Sequence, residues 1–106
     1  MELDLAGYTV MRCCIDSRFI LDLTRSEQTV PDQEHAQLIT GGLFEFSAVG
    51  MTIQLDAEQH PEELGPALKL CRSAIEFASI AEDGILHIQF ANHLALRIPS
   101  LFAYDA

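Results

Sequence analysis

The sequence predicts a mainly β domain (α+β): about eight antiparallel strands in two meanders, forming a sandwich or barrel-like sheet, with one short helix. Apolar and polar residues alternate with period two along most of the chain. Turn-forming residues punctuate these runs at Gly41-Gly42, Val49-Gly50, Asp83-Gly84 and Ala91-Asn92-His93. In the last third, turn length and alternation together fix a register.

The first hairpin pairs Tyr8 to Ile15 with Arg18 to Thr24 across Asp16-Ser17. In its second strand Phe19, Leu21 and Leu23 alternate with Arg18, Ile20, Asp22 and Thr24. The polar stretch Arg25 to Gln33, with Pro31, reads as the one long loop. Glu34–Thr40, Leu43–Ala48 and Met51–Leu55 then read as a meander. A two-residue loop at Gly41-Gly42 pairs Ile39 with Phe44, and one at Val49-Gly50 pairs Phe46 with Ile53 and Phe44 with Leu55.

Asp56 to Gly65 is an acidic connector with a turn expected at Pro61–Leu64. A short helix is expected at about Pro66–Cys71, because proline suits a first helical position. Its apolar stripe would be Leu68 and Cys71, and it would plug an open end or cover one face of the sheet.

In the final meander, Asp83-Gly84 suits a two-residue type I′ turn. Ala81 then faces Leu86, Ser79 faces Ile88 and Phe77 faces Phe90. The turn after Phe90 must hold three residues, Ala91-Asn92-His93, so that Phe90 meets Leu94, Ile88 meets Leu96 and Leu86 meets Ile98. A two-residue loop would turn the last strand's apolar set to solvent. The expected outer face holds Ile80 beside His87 and Ala78 beside Gln89, with Ala95 and Arg97 alongside. Val10, Ile15, Ile20, Leu21 and Leu23 are echoed about 65 residues later by Ile75, Ile80, Ile85, Leu86 and Ile88. Chance likeness between alternating strands is the simpler reading, and two related meanders facing each other the structural one.

Leu5-Ala6-Gly7, Val10, Asp83-Gly84-Ile85-Leu86, Phe90-Ala91, Leu94, Ile98-Pro99 and Tyr104-Asp105-Ala106 resemble a family of small bacterial proteins of unknown function, common in actinobacteria. The likeness covers the first and last quarters of the chain. Asn92-His93 stands where that family has Asp-Gly. The resemblance implies the fold and carries no activity.

The 106 residues suit one domain spanning 1–106. Hydrophobic residues make up 49%, enough to exclude a wholly disordered chain, and the mean hydropathy is +0.17. Sixteen acidic against six basic residues give a net charge of −10. That charge disfavours nucleic acid and anionic membrane surfaces, and it would steer in a basic protein partner. The acidic start Met1-Glu2-Leu3-Asp4 does not suit a secretory signal, and no apolar run approaches the ~18 residues of a membrane span. Three cysteines without framework spacing suggest reduced thiols and a cytoplasmic setting.

No catalytic constellation emerges. His35, His60, His87 and His93 lie in different elements without metal-ligand spacing, so no metal or other cofactor is expected. Cys13 and Cys14 sit mid-strand, Ser17 lies in a turn without a histidine, and Gly41-Gly42 precedes no helix. A non-enzymatic protein-binding role is therefore expected, of the immunity or antitoxin type. A self-associating homodimer is one alternative, and a ligand carrier or enzyme with an inter-sheet pocket is another. The candidate interface residues are Ile80, His87, Gln89 and Arg97 on the final meander, and Asp56, Glu58, Glu62 and Glu63 on the acidic connector.

Overall fold

The computed structural model describes residues 1–26, 33–99 and 102–105. They form two antiparallel sheets. The first runs in the order β1 (Thr9–Ile15), β2 (Phe19–Ser26), β3 (Gln33–Thr40), β9 (Phe102–Asp105). The second runs β5 (Met51–Asp56), β4 (Leu43–Ala48), β8 (Ala95–Ile98), β7 (Leu86–Phe90), β6 (Ile75–Ile80). Alternation sends Phe19, Leu21, Leu23 and Leu38 from the first sheet, and Phe44, Phe46, Leu86, Ile88, Phe90, Leu96 and Ile98 from the second, into one shared core. Phe19 and Phe44 stack across the two layers, with ring centroids 5.1 Å apart.

The mainly β reading therefore holds, and the strand signals translate into elements for a simple reason. A half-buried pleated strand needs alternate apolar residues, and each predicted strand has them. The pairs Phe46↔Ile53 and Phe44↔Leu55 across Val49-Gly50 form as expected. Leu86↔Ile98 and Ile88↔Leu96 form across Ala91–His93, and the Phe90 N–H donates to the Leu94 carbonyl at 2.8 Å. The three-residue turn carries Asn92 and His93 at φ 65° and 62°. His87 is exposed between buried Leu86 and Ile88.

Gly41-Gly42 is not a hairpin. β3 and β4 lie in different sheets, so Ile39 and Phe44 do not pair; β3 pairs with β9 and β4 with β8. Local turn chemistry permits both a hairpin and a crossover, and the long-range β4–β8 pairing decides between them.

The hairpin at Asp83-Gly84 is shifted by one residue from the expected register. Its loop is Glu82-Asp83-Gly84: the Gly84 N–H donates to the Ala81 carbonyl, the Ala81 N–H to the Ile85 carbonyl, both at 2.9 Å, and Gly84 takes φ 86°. This is a three-residue turn with glycine in the left-handed position. It pairs Ile80↔Leu86, Ser79↔His87, Ala78↔Ile88 and Phe77↔Gln89. Ala78 is thereby buried, and Ile80 packs against the core instead of lying beside His87. Phe77 is turned outward, away from Phe90. A bulge between Ile75 and Phe77 moves the register one residue further and turns Ile75 inward, opposite Phe90.

The expected α-helical stripe is also replaced. Pro61–Glu63 and Gly65–Leu70 are 3-10 helices, and the buried residues are Leu64, Ala67 and Leu70. Their spacing of three matches the three-residue turn of that helix, whereas Leu68 and Cys71 are exposed. The long loop is shorter than its predicted span, because Arg25 belongs to β2 and Gln33 to β3; its centre, 27–32, lies outside the described residues.

The two sheets are stitched at one side. Thr9 and Ala74 form an antiparallel bridge, the Val10 N–H donates to the Ser73 carbonyl at 2.9 Å, and the Ile75 N–H to the Tyr8 carbonyl at 2.7 Å. Moving 65 positions along the chain converts Val10 into Ile75 and Tyr8 into Ser73, so the two hydrogen bonds exchange with each other. A second correspondence relates the far sides. Moving 58 positions converts Leu38 into Leu96 and Phe46 into Tyr104, and both Phe46↔Leu96 and Leu38↔Tyr104 are cross-strand pairs. The same move converts Ser47↔Ala95 into Gln37↔Asp105. The chain is thus two four-stranded halves, β1–β4 and β6–β9, related by a pseudo-two-fold axis through the seam. Each half completes the other's sheet with its fourth strand. The interval is 65 for the first strands, 67 for the second because the β6–β7 turn is two residues longer than the β1–β2 turn, and 58 for the third and fourth because the β2–β3 hairpin extends further than β7–β8.

Candidate functional site

The outer faces of the two sheets differ in how their polar groups are used. On the first sheet, Arg12 donates from Nε to Asp22 Oδ2 at 2.9 Å, and Gln37 Nε2 donates to Asp22 Oδ1 at 2.9 Å, a continuous row across three strands. Arg18 closes on Asp16 at 3.1 Å and holds that carboxyl below the usual aspartate range. Arg25 lies 4.5 Å over the Tyr8 ring, donates from Nε to Glu34 at 2.9 Å, and from Nη1 to Asp4 at 3.1 Å and to the Ala6 carbonyl at 3.3 Å. It clasps the N-terminal segment to β2 and β3, and it lowers the pKa of Asp4 through the side-chain hydrogen bond and its charge.

The second sheet presents two rows. One runs Gln54, Glu45, Arg97, His87 and Ser79, and the other Thr52, Ser47, Ala95, Gln89 and Phe77, by direct cross-strand pairing. The small side chain of Ala95 leaves a recess of about 250 Å³ walled by Glu45, Ser47, Phe77, His87, Gln89 and Arg97. Phe77 is 46% exposed at its rim. Gln89 Nε2 is spent on the Phe90 and Leu94 carbonyls at 3.3 Å each, so it fixes the turn below the recess. Arg97 forms no ion pair among the described residues, unlike Arg12, Arg18 and Arg25.

His87, Gln89 and Arg97 are therefore brought together as expected. Ile80 is not: its N–H and carbonyl are both bonded to Met1, at 2.7 Å each, on the far edge of β6. Phe77 takes the exposed apolar place intended for Ile80. The tripeptide Glu82-Asp83-Gly84 carried the signal, since glycine at the third loop position suits a three-residue hairpin as well as Asp-Gly suits a two-residue one.

The acidic connector is a separate feature, and none of its residues lines the recess. Asp56 Oδ1 accepts from the Glu58 and Gln59 N–H groups at 3.0 and 3.1 Å, which ends β5 in a tight turn. His60 Nδ1 lies 3.4 Å from Glu62, and ligand atoms of His60, Glu62 and Glu63 fall within 4.8 Å of one another, all exposed. Solvation accounts for such a group.

The family model for a family of unknown function, DUF6188, matches residues 1–106. The chain belongs to DUF6188. Neither a curated protein nor a solved structure matches it. The match extends from the ends of the chain through its centre, so the crossover strands and the acidic connector fall inside the DUF6188 domain as well. Among the described residues no helix is long and apolar enough to cross a membrane.

Proposed function

We propose that this chain is a small acidic protein-binding domain, bacterial and cytoplasmic, and that it docks its partner on the outer face of the five-stranded sheet. The observation that carries this reading is Phe77 standing exposed at the recess beside Arg97, which has no ion pair among the described residues. Aromatic residues and arginine dominate the energetic centres of protein interfaces, and the neighbouring Ser47 and Gln89 offer a polar surround. The net charge of −10 steers a basic partner towards the domain, and the Asp56–Glu63 connector adds to that field. An inhibitor of the immunity or antitoxin type fits this chemistry.

Co-expression with the products of adjacent reading frames tests the reading. Binding lost in both Phe77→Asp and Arg97→Glu, with folding intact, supports it. Binding that survives both substitutions moves the interface to the acidic connector.

Self-association is a second reading, through a sheet edge outside the final meander. The edges of the final meander are occupied, β6 by residues 1–8 and β8 by β4. β5 pairs only with β4 among the described residues, and Met51-Thr52-Ile53-Gln54-Leu55 carries no charge or proline to blunt its free edge. A dimer in sedimentation at micromolar concentration, dissociated by Ile53→Lys, supports this reading; a monomer removes it.

A further inference from the structure

The seam between the sheets brings two of the three cysteines together. Beyond the Thr9↔Ala74 bridge the segment continues along β1: the Arg72 N–H donates to the Val10 carbonyl at 2.6 Å, and Cys71 Sγ lies 4.0 Å from the Met11 carbonyl oxygen. Arg72 adopts φ 70°, a left-handed turn that delivers Cys71 onto the strand from the end of Gly65–Leu70. Cys13 is opposite Leu21 on the inward side of β1 and packs on the core. Cys14, on the other side, neighbours Arg12 and points away from the seam.

The geometry points to Cys13 and Cys71 as a reversible disulfide pair that staples the 3-10 segment to β1, with Cys14 excluded. Cys71 Sγ sits on the β1 backbone at Met11, two residues from Cys13. Burial, reinforced by the nearby Cys71 thiol, pushes Cys13 up to about 12, whereas Cys71 is exposed. Cys71 is therefore the thiol that meets an external oxidant, and Cys13 is the resolving one. With a small-molecule disulfide such as oxidised glutathione, the Cys71 thiolate attacks one sulfur and releases one glutathione thiolate. Cys13, losing its proton to solvent, then attacks the Cys71 sulfur of the mixed disulfide. The second glutathione leaves, two protein thiols have been oxidised, and one glutathione disulfide has been reduced to two thiols. A strong thiol reductant reverses the exchange.

The inference is independent of the protein-binding reading, because the seam lies away from the recess. Treatment of the reduced 106-residue chain with oxidised glutathione should lower the free-thiol count from three to one. The mass should fall by two hydrogens, and peptide mapping should join Cys13 to Cys71. Closure should raise Tm by about 10 °C, since the bond closes a long loop of the unfolded chain. Cys14→Ser should close in the same way, and Cys13→Ser should stop with glutathione on Cys71. A wild-type chain that stops at the glutathione adduct, or that links Cys14, overturns the pairing; closure without a rise in Tm overturns the stapling.

Discussion

Thr9 and Ala74 stand opposite each other where the edge of one sheet meets the edge of the other, and each is the other's counterpart in the two halves of the chain. The flanking hydrogen bonds, Val10 to Ser73 and Ile75 to Tyr8, interchange about this point. An isologous contact of this kind is what a symmetric dimer makes between identical edges. Here it is made within one polypeptide.

The register of the β6–β7 hairpin makes adjacent residues respond in opposite ways. Phe77→Asp places a carboxylate on the outer face and should change stability by no more than about 0.5 kcal/mol. Ala78→Asp buries an unpaired charge among core side chains and should cost roughly 3 kcal/mol or more. Urea denaturation of the two variants measures the difference, and equal effects would refute the register.

Thr40 is wholly buried, and its hydroxyl has no hydrogen-bond partner among the described residues. An orphaned hydroxyl in a core costs about 1–3 kcal/mol. Thr40→Val removes the orphan at nearly constant volume and should raise the unfolding free energy by about 1 kcal/mol. Thr40→Ala opens a void as well, and should gain less or lose. A destabilised Thr40→Val would show that the hydroxyl is partnered.

His93 holds a left-handed backbone conformation without being glycine. Such a residue carries a strain of about 1 kcal/mol that glycine relieves. His93→Gly should therefore raise Tm by a few degrees. Gly84→Ala, at φ 86°, should destabilise by about 1 kcal/mol. Thermal melts of both variants check the pair of signs.

Asp4 and Asp16 have folded pKa values below the ordinary carboxylate range, held there by Arg25 and Arg18. In the unfolded chain these carboxyls take up protons at higher pH than in the folded one. Their contribution is thus fully present above the unfolded value near 3.8 and is lost as pH falls through the folded values. Stability should decline on acidification below about pH 4. The decline should be shallower in Arg25→Ala, which should also melt a few degrees lower at neutral pH and lose more than Arg18→Ala, because Arg25 ties three segments together. An unchanged acid limb in Arg25→Ala would refute the assignment for Asp4.

Short-range features of this fold were legible in the residues. Val49-Gly50 and Ala91-Asn92-His93 set their registers because the apolar face of each strand leaves one loop length that buries it. The echo between Val10–Leu23 and Ile75–Ile88 holds only in the first strand, where Val10 and Ile15 correspond to Ile75 and Ile80; in the second strand Leu21 and Leu23 correspond to Ile88 and Phe90, because loop lengths change the interval along the chain. Two features that position the outer face of the second sheet were not legible. Gly41-Gly42 does not announce that the next strand belongs to the other sheet, since the partner β8 lies about fifty residues downstream. Glu82-Asp83-Gly84 suits two loops that differ by one residue, and that residue decides whether Phe77 or Ile80 faces solvent. Three of the four candidates on the final meander share its outer face, because His87, Gln89 and Arg97 depend on the register of β7 and β8, which was determined.

The exchange of fourth strands governs how this chain can fold. During synthesis, β4 emerges from the ribosome with β5 as its hairpin partner, but its other edge stays bare until Ala95–Arg97 have been made. The first sheet waits longer still, because β3 receives β9 only at residues 102–105. Neither half can bury its open edge alone, so productive folding waits for the strand at 102–105 and rests on contacts between residues far apart in the chain. Such topologies fold slowly for their size. Premature termination within the last strand would leave β3 uncovered, an intermediate able to recruit the same strand from a neighbouring nascent chain.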